Sequence, residues 1–321
     1  MAQARQLTFA TGSRYAMKFL IDGSVRVKGF NVSYPGNATN PGPFFRDLAL
    51  GLVYDIGENA LSHYLIAKAS GKPLTAIPFF PSYFFPHLAV SVNRRSGILS
   101  PLDLIGKRIG APDFGYNPAA WMRGILSHQY EVPTEKITWI EVEGDHYGLS
   151  YSRSARFKFE KVKVSDGSQT AYGLQALLET NVIDAVFLHG VGIPPTIETK
   201  KLFDDPYREI KAYVTETGVF PINTVITLKE HVVKNYPELP ARLMEALREA
   251  SRLYEQEVAT AGKEEFMELR VNWLNEMRLF PPVVGLMEPN RRSIRMMIQY
   301  CYEQGLIRRL FEPEELFVKV H

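Results

Sequence analysis

The stretch that decides the fold runs from Ser100 to Leu126 and reads SPLDLIGKRIGAPDFGYNPAAWMRGIL. It opens with a serine and Pro101, a pair that favours the start of a helix. Residues 107–111 then have the pattern of a short buried strand. Asn117 precedes a proline and repeats the signal for a helix start. The pattern predicts a short helix, a strand, a loop and a longer helix, which together form one unit of an open α/β sheet.

The loop in this unit, residues 113–120, is a candidate anion-binding site. Ligands of open α/β sheets bind at the loops that follow the carboxyl ends of strands. The free N–H groups at the start of the next helix attract anions. We therefore expect ligand contacts from this loop and from the first turns of its helix, namely from Phe114, Gly115, Tyr116, Asn117 and Arg123.

Composition limits the class of protein. At 321 residues the chain is long enough for two domains, and its net charge of +2 predicts neither a nucleic-acid partner nor an anionic membrane surface. The single cysteine, Cys301, excludes an intramolecular disulfide and favours a reducing compartment. No stretch has the length of a membrane span, and the first residues lack a signal-peptide pattern. We expect a cytoplasmic protein, or a periplasmic one if a leader precedes this sequence.

Strand and helix patterns alternate along most of the chain, and helical patterns dominate from Pro237 onward. Alternating units of this kind predict a mainly parallel sheet. Residues 101–212 contain such units of their own, so we expect the chain to cross between two lobes near 92–100 and again near 212–218. The sequence predicts a two-lobed α/β fold with a ligand cleft between the lobes and a helical C-terminal segment. Lobe 1 comprises 1–98 and 216–321, and lobe 2 comprises 99–215.

Several short motifs together carry a resemblance to a known family. They are ENALSHY (58–64), FPH (85–87), AWMRGIL (120–126), GVFPIN (218–223) and the closing segment 303–317. With these motifs the chain resembles the 4,5-dihydroxyphthalate decarboxylase-like proteins over nearly its whole length. The resemblance implies a type 2 periplasmic-binding-protein fold, which solute-binding proteins of transporters share. It also implies decarboxylation of a small, hydroxylated aromatic acid.

The chain departs from the family pattern at two positions. Pro86 stands where the family has an arginine, and Asn223 stands where it has a histidine. Both family residues are of types that bind carboxylates or move protons. The resemblance therefore does not identify the substrate.

Loss of CO2 from a hydroxylated aromatic acid needs a proton donor and a site that excludes water. His87 matches the family histidine, and the ordinary pKa of histidine suits the donor role; a buried structural role is the alternative. His189 follows a buried strand, and Glu58 follows a strand end in an acidic motif or serves only the start of a helix. We predict His87, Glu58 and His189 as catalytic residues.

A carboxylate ligand also needs a cationic partner. Arg14 lies in the first strand–helix loop beside Ser13, and its guanidinium fork suits a carboxylate, although a solvated surface arginine is the alternative. Aromatic side chains would stack on an aromatic ligand, or belong to the core. The predicted substrate-binding set is Ser13, Arg14, Tyr83, Phe114, Gly115, Tyr116, Asn117, Arg123 and Asn223.

We predict no organic cofactor and assign no metal ligands, because the sequence has no HExxH motif, no paired cysteines and no carboxylate-rich loop. The sequence leaves open whether His87, Glu58 and His189 share a divalent ion. The rival function is a non-catalytic solute-binding protein for a small carboxylate, of the type that serves ABC transporters. A small carboxylate ligand is expected in both cases, and the oligomeric state stays open.

Overall fold

The computed structural model describes residues 5–35, 44–51, 53–143, 154–163, 170–188, 192–260 and 284–319. These ranges contain eleven strands in two sheets. In chain order the strands are β1 Arg5–Ala10, β2 Phe30–Ser33, β3 Ile56–Ala60, β4 Leu74–Ile77, β5 Val90–Asn93, β6 Arg108–Ala111, β7 Thr138–Val142, β8 Lys158–Val162, β9 Ala185–Phe187, β10 Thr199–Lys201 and β11 Thr224–Lys229. The first sheet has the order β2-β1-β3-β11-β4, and the second has the order β10-β5-β9-β6-β7-β8.

Helices cover and connect the two sheets. They are α1 Lys18–Ile21, α2 Phe45–Leu50, α3 Leu61–Ala69, α4 Asn117–Gln129, α5 Thr170–Glu179, α6 Pro206–Thr217, α7 Glu230–Asn235, α8 Leu239–Thr260 and α9 Glu288–Glu303. The short helix after Ser100, the strand β6 and the helix start at Asn117 all confirm the interpretation of the opening stretch. None of the helices in the described ranges is both long and apolar enough to cross a membrane.

Each sheet is parallel apart from one described strand. β11 runs antiparallel to its neighbours β3 and β4, and β5 runs antiparallel to β9 and β10. These are the two strands that the chain forms directly after it crosses from one sheet to the other. The mainly parallel arrangement is therefore as predicted, with one reversal for each crossing.

The first crossing comes earlier in the chain than predicted. β5, residues 90–93, belongs to the second sheet, although we expected the chain to cross near 92–100. A short apolar run such as VSVN fits the middle of either sheet, so its pattern cannot assign it to one. Every other described strand lies in the sheet of its expected lobe. The lobe boundaries themselves, 1–98 with 216–321 and 99–215, stay a prediction.

Two expectations fall wholly or partly outside the described residues. The sequence pattern predicts a helix at 263–279 and a polar loop or hairpin at 144–166; the first lies outside the described residues, as does most of the second. The part of that segment that is described forms β8, which pairs in parallel with β7 at the edge of the second sheet.

One buried cluster joins elements from both sheets. It includes side chains of α3, α4 and α9, among them Tyr64, Trp121 and Tyr300. Helix α9 comes so close to α4 that a Cβ atom on Gly124 would lie 2.1 Å from Tyr300 Cδ2. This approach lets the C-terminal helix close the core between the sheets.

Replacing Gly124 by alanine should therefore destabilise the protein. Alanine favours a helix over glycine by about 1 kcal/mol, but the buried Tyr300 ring would have to move to make room. Overpacking of this kind costs about 1–3 kcal/mol, so we expect a net loss of unfolding free energy in urea titrations. Ser127→Ala, on the exposed face of the same helix, is the matched control and should leave stability nearly unchanged. Equal stability of Gly124→Ala and wild type would contradict this packing.

Candidate functional site

The site is built around Glu58, whose carboxyl group is buried at one edge of the first sheet. Its side chain is 4% exposed. Thr11 Oγ1 donates to Oε2 at 2.6 Å, and Thr224 Oγ1 donates to Oε1 at 2.8 Å. Burial raises the pKa of the Glu58 carboxyl, while these two hydroxyls, the backbone N–H of Gly12 and the charge of Arg14 oppose the rise.

Strand direction brings these residues together. β1 and β3 are parallel, so their carboxyl ends, followed by Thr11 and containing Glu58, meet at the same edge. β11 is antiparallel to β3, so its first residue, Thr224, reaches that edge from the opposite direction. Thr224 is the diagonal neighbour of Glu58 on the same face, and Thr11 follows the last pair of the β1–β3 register, directly beside Glu58. Both hydroxyls therefore lie next to the carboxyl group.

The loop after β1 adds a positive charge to the site. Ser13 and Arg14 are both exposed there, and the charge of Arg14 acts on the pKa of Glu58. The structure thus brings together three of the predicted residues. Arg14 is open to solvent beside a buried acid, and its role as the partner of a carboxylate ligand stays a prediction.

A chain of polar side chains leads from Glu58 to the start of α4. Thr224 Oγ1 lies 2.8 Å from Ser82 Oγ, and Asn223 Nδ2 donates to Ser82 Oγ at 3.2 Å. Asn117 Nδ2 donates to Asn223 Oδ1 at 3.3 Å, and Asn117 Oδ1 accepts from the Ser62 N–H at 3.0 Å. Two predicted binding residues, Asn117 and Asn223, therefore hold elements of both sheets together.

Polar groups of the loop that we expected to bind an anion are hydrogen-bonded within the protein. The Asp113 carboxylate accepts hydrogen bonds from the backbone N–H groups of Gly115 and Tyr116. Burial and the neighbouring Glu141 raise the pKa of Asp113 to about 7, which those two donors oppose. The Gly115 carbonyl in turn accepts from Ser62 Oγ at 2.8 Å. A side chain of the loop thus occupies two of the amides that we expected an anion to meet.

Phe114 and Arg123 lie in the core. Arg123 is fully buried, with its guanidinium carbon 3.7 Å from the centre of the Phe114 ring. It donates from Nη2 to the Phe114 carbonyl and from Nε to Gln304 Oε1, the latter at 2.7 Å. These contacts connect the loop to the end of α9, and both side chains are buried. Their role in substrate binding stays a prediction.

His87 is fully buried in the short turn Pro86–Leu88. The centre of its ring lies 5.5–6.5 Å from those of Tyr130, Phe203 and Tyr213. No described residue forms a hydrogen bond with either ring nitrogen. Burial lowers the pKa of His87 to about 3, so the ring is neutral at pH 7. This environment favours the structural alternative, and the proton-donor role stays a prediction.

Of the remaining predicted residues, the structure describes Tyr83 but not His189. Tyr83 is partly buried, and its hydroxyl donates to Asn290 Oδ1 at 3.0 Å. His189 lies outside the described residues, so a metal shared with His87 and Glu58 stays an open alternative. Within the described ranges, no three His, Cys, Asp or Glu side chains gather closely enough to hold a metal ion.

Sequence reasoning missed the three hydroxyl residues of the site. Thr11 lies two residues before Ser13, and Thr224 directly follows the GVFPIN motif, so both lie beside segments that we singled out. Ser82 lies in the aromatic loop next to Tyr83. Serine and threonine are common in such loops, and only the folded contacts distinguish these three from the others.

Comparison with known proteins gives two relatives by sequence. The chain is 28% identical over 326 residues to a 4,5-dihydroxyphthalate decarboxylase from Comamonas testosteroni, covering 97% of this chain and 96% of that protein. It is also 28% identical over 181 residues to the protein of the same name from Pseudomonas putida, covering 56% of this chain and 69% of that protein. No protein-family model matches the chain. The family resemblance predicted from the motifs is confirmed by these relatives.

Solved structures confirm the fold. The periplasmic aliphatic sulphonate-binding protein SsuA from Escherichia coli superimposes with a TM-score of 0.56 at 13% identity, covering 99% of this chain and 98% of that one. A Candida albicans gene product with the generic periplasmic-binding-protein fold superimposes with a TM-score of 0.57 at 14% identity, covering 99% and 97%. The chain has the periplasmic-binding-protein fold that we predicted.

The environment of His87 predicts how stability depends on pH. Its pKa in the folded protein lies below the ordinary value of 6.5, so below pH 6.5 the unfolded chain binds more protons than the folded one. Stability is therefore lost as the pH falls from 6.5 towards 3, by about 2 kcal/mol at pH 5 from this group. His87→Leu should remove that part of the loss in urea titrations at pH 7 and pH 5.

His231→Leu is the matched control, because His231 is exposed. It should retain the pH dependence of the wild type. If His87→Leu also retained it, His87 would be able to carry a proton in the folded protein, and the neutral-ring interpretation would be wrong.

Proposed function

We propose that this chain, a relative of 4,5-dihydroxyphthalate decarboxylases with a periplasmic-binding-protein fold, decarboxylates a small, hydroxylated aromatic acid. The observation that carries the proposal is a buried carboxyl group, Glu58, held by two hydroxyls beside the exposed Arg14. The relatives' names support the class of reaction, and their likeness extends over nearly the whole chain for one of them.

Glu58 is the proton donor in this proposal. A ring hydroxyl in conjugation with the carboxyl-bearing carbon lets the ring electrons form a C–H bond there with the proton of Glu58. The bond to the carboxylate then breaks, its electron pair restores the aromatic ring, and CO2 leaves. Burial raises the pKa of Glu58, which favours the protonated form that this role requires. Afterwards Glu58 regains its proton from water.

The surroundings of Glu58 suit both of its charge states. After proton transfer the carboxylate accepts from Thr11, Thr224 and the Gly12 N–H, so the new charge is not left without partners. Arg14 binds the carboxylate of the substrate with its guanidinium fork. Its charge also favours the ionised Glu58 that the reaction produces.

A solute-binding protein for a small carboxylate is the second candidate. The likeness to SsuA supports it, because the name of that protein describes the binding of an anionic ligand. Such a protein would bind the same acids at Arg14 without releasing CO2. For the decarboxylase we propose the cytoplasm, in keeping with the buried free cysteine Cys301.

Glu58→Gln should separate binding from chemistry. The amide keeps the size of the side chain but has no acidic proton, so we expect CO2 release to fall on the order of 10²-fold or more, with binding retained. A panel of hydroxylated aromatic acids that includes 4,5-dihydroxyphthalate would be tested for CO2 release and for heat of binding in parallel. Binding of an acid by the wild type without any CO2 release would favour the solute-binding alternative.

Arg14→Ala should weaken binding of the same acid. Loss of a charge-assisted hydrogen-bond pair costs about 1.5–3 kcal/mol, which corresponds to a rise in Kd of about 10- to 150-fold by calorimetry. Arg26→Ala removes an exposed arginine from a different loop and should leave Kd unchanged. Similar Kd values for both variants would rule out Arg14 as the carboxylate partner.

A further inference from the structure

Glu58 is too deeply buried for easy contact between its carboxyl group and a ring carbon of a substrate. Thr224 is fully buried and Thr11 is 5% exposed, so the two hydroxyls that touch the carboxyl group are enclosed as well. Ser82, which touches Thr224, is partly exposed. The hydrogen-bonded chain from Glu58 through Thr224 therefore reaches solvent at Ser82.

The position of Ser82 is fixed by the backbone. Its carbonyl accepts from the N–H of Asn223 at 2.9 Å and from the N–H of Thr224 at 3.3 Å. The Phe84 N–H donates to the Pro221 carbonyl at 2.9 Å. These bonds hold the loop that carries Ser82 against the segment that leads into β11. The backbone therefore helps to fix the distance between the hydroxyls of Ser82 and Thr224.

The donors and acceptors available to each hydroxyl determine the direction in which the hydrogen bonds of this chain point. A hydroxyl group has one proton to donate and can accept two. When Glu58 is protonated on Oε1, it can donate to Thr224 Oγ1, and Thr224 can then donate to Ser82 Oγ. Ser82 Oγ also accepts from Asn223 Nδ2 at 3.2 Å, so both of its acceptor positions are filled. Among the described residues no other acceptor takes the Ser82 proton, which is left for a group in the cleft.

We propose that the hydroxyls of Thr224 and Ser82 form a proton relay that joins the buried Glu58 carboxyl to the cleft, with Ser82 as the group that touches the substrate. This inference rests on the proposed decarboxylation and adds the path of its proton. Ser82 Oγ gives its proton to the carboxyl-bearing ring carbon, Thr224 Oγ1 replaces it, and Glu58 Oε1 replaces that of Thr224. Each oxygen loses one O–H bond, and both hydroxyls regain one, so Glu58 alone ends as the anion.

The test measures kcat and Kd for the first acid of the panel that the wild type turns over, starting with 4,5-dihydroxyphthalate. Ser82→Ala and Thr224→Val should each lower kcat on the order of 10²-fold and change Kd by less than about twofold. Ser82→Thr and Thr224→Ser keep a hydroxyl and should restore most of kcat. A kcat within about twofold of wild type in Ser82→Ala would overturn the relay while leaving Glu58 as the proposed acid.

Thr227→Val is the matched control for a lost hydroxyl on the same strand. Thr227 is also buried, but its Oγ1 donates to the Gly57 carbonyl on the opposite face of the sheet from Glu58. It should retain kcat. An equal loss of kcat in Thr227→Val and Thr224→Val would show that the loss comes from a disturbed strand, and would overturn the relay.

A readout without substrate keeps the two proposals separable. The C=O stretch of the protonated Glu58 carboxyl, taken as the infrared difference from Glu58→Gln, reports the pH at which Glu58 loses its proton. Thr224→Val removes a donor to the carboxylate, so that pH should rise, whereas Thr227→Val should leave it unchanged. If no acid of the panel is turned over, the proposed function is wrong, and an unchanged midpoint in Thr224→Val would overturn the first contact of the relay as well.

Discussion

The site depends on one constraint, which is a carboxyl group buried where the strands of the first sheet end. Such a group is unfavourable without hydrogen-bond donors, whether it is charged or neutral. The protein meets this requirement with residues from three strands, because the ends of β1 and β3 and the start of β11 share one edge. The single reversed strand of the first sheet is therefore what brings Thr224 to Glu58. The hydrogen bonds around the acid and the topology of the sheet are parts of the same arrangement.

The second sheet contributes to the site in a different way. Its loop at 113–117 is stabilised from inside, by Asp113 on two backbone amides and by Arg123 on the Phe114 carbonyl. Arg123 also reaches Gln304 at the end of α9, so the C-terminal helix supports this loop directly. The charged side chains of this loop are therefore engaged within the protein, whereas Arg14 of the first sheet is open to solvent.

The sequence predicted well those features that depend only on residues close to each other in the chain. The helix start at Ser100 was predicted correctly, because a cap and a following proline act within one turn. The helix after the loop begins at Asn117 as expected, but its N-cap is Tyr116, and the Asn117 side chain bonds Ser62 and Asn223 instead of capping the helix. Arg14 was predicted from its place in the loop after the first strand, and Glu58 from a strand end and the family motif. The structure places Glu58 within β3 and not after its end, because the strand continues to Ala60. Arg123 could not be placed in the same way, since every residue of α4 from Asn117 to Leu126 is buried and no polar face marks the ligand side.

Contacts between distant residues set the rest of the site. Ser82 and Thr224 are separated by 142 positions, and Thr224 and Glu58 by 166, so no pattern along the chain reveals that their side chains meet. Tertiary packing also decides which sheet β5 joins and which side chains surround His87. In each case the residue type is common, and its partner is known only once the strands have been ordered.

The order of the strands has a consequence for how such a protein can change over evolutionary time. β4 and β11 are hydrogen-bonded neighbours, with Ile77 opposite Ile226, yet all strands of the second sheet are encoded between them. The chain leaves and returns side by side, at Ser82 and Asn223. The second sheet is thus an insertion whose two ends lie next to each other. A change confined to the second sheet therefore leaves in place the strand pairings that hold the hydroxyl-bound acid, because β1, β3 and β11 all lie in the first sheet.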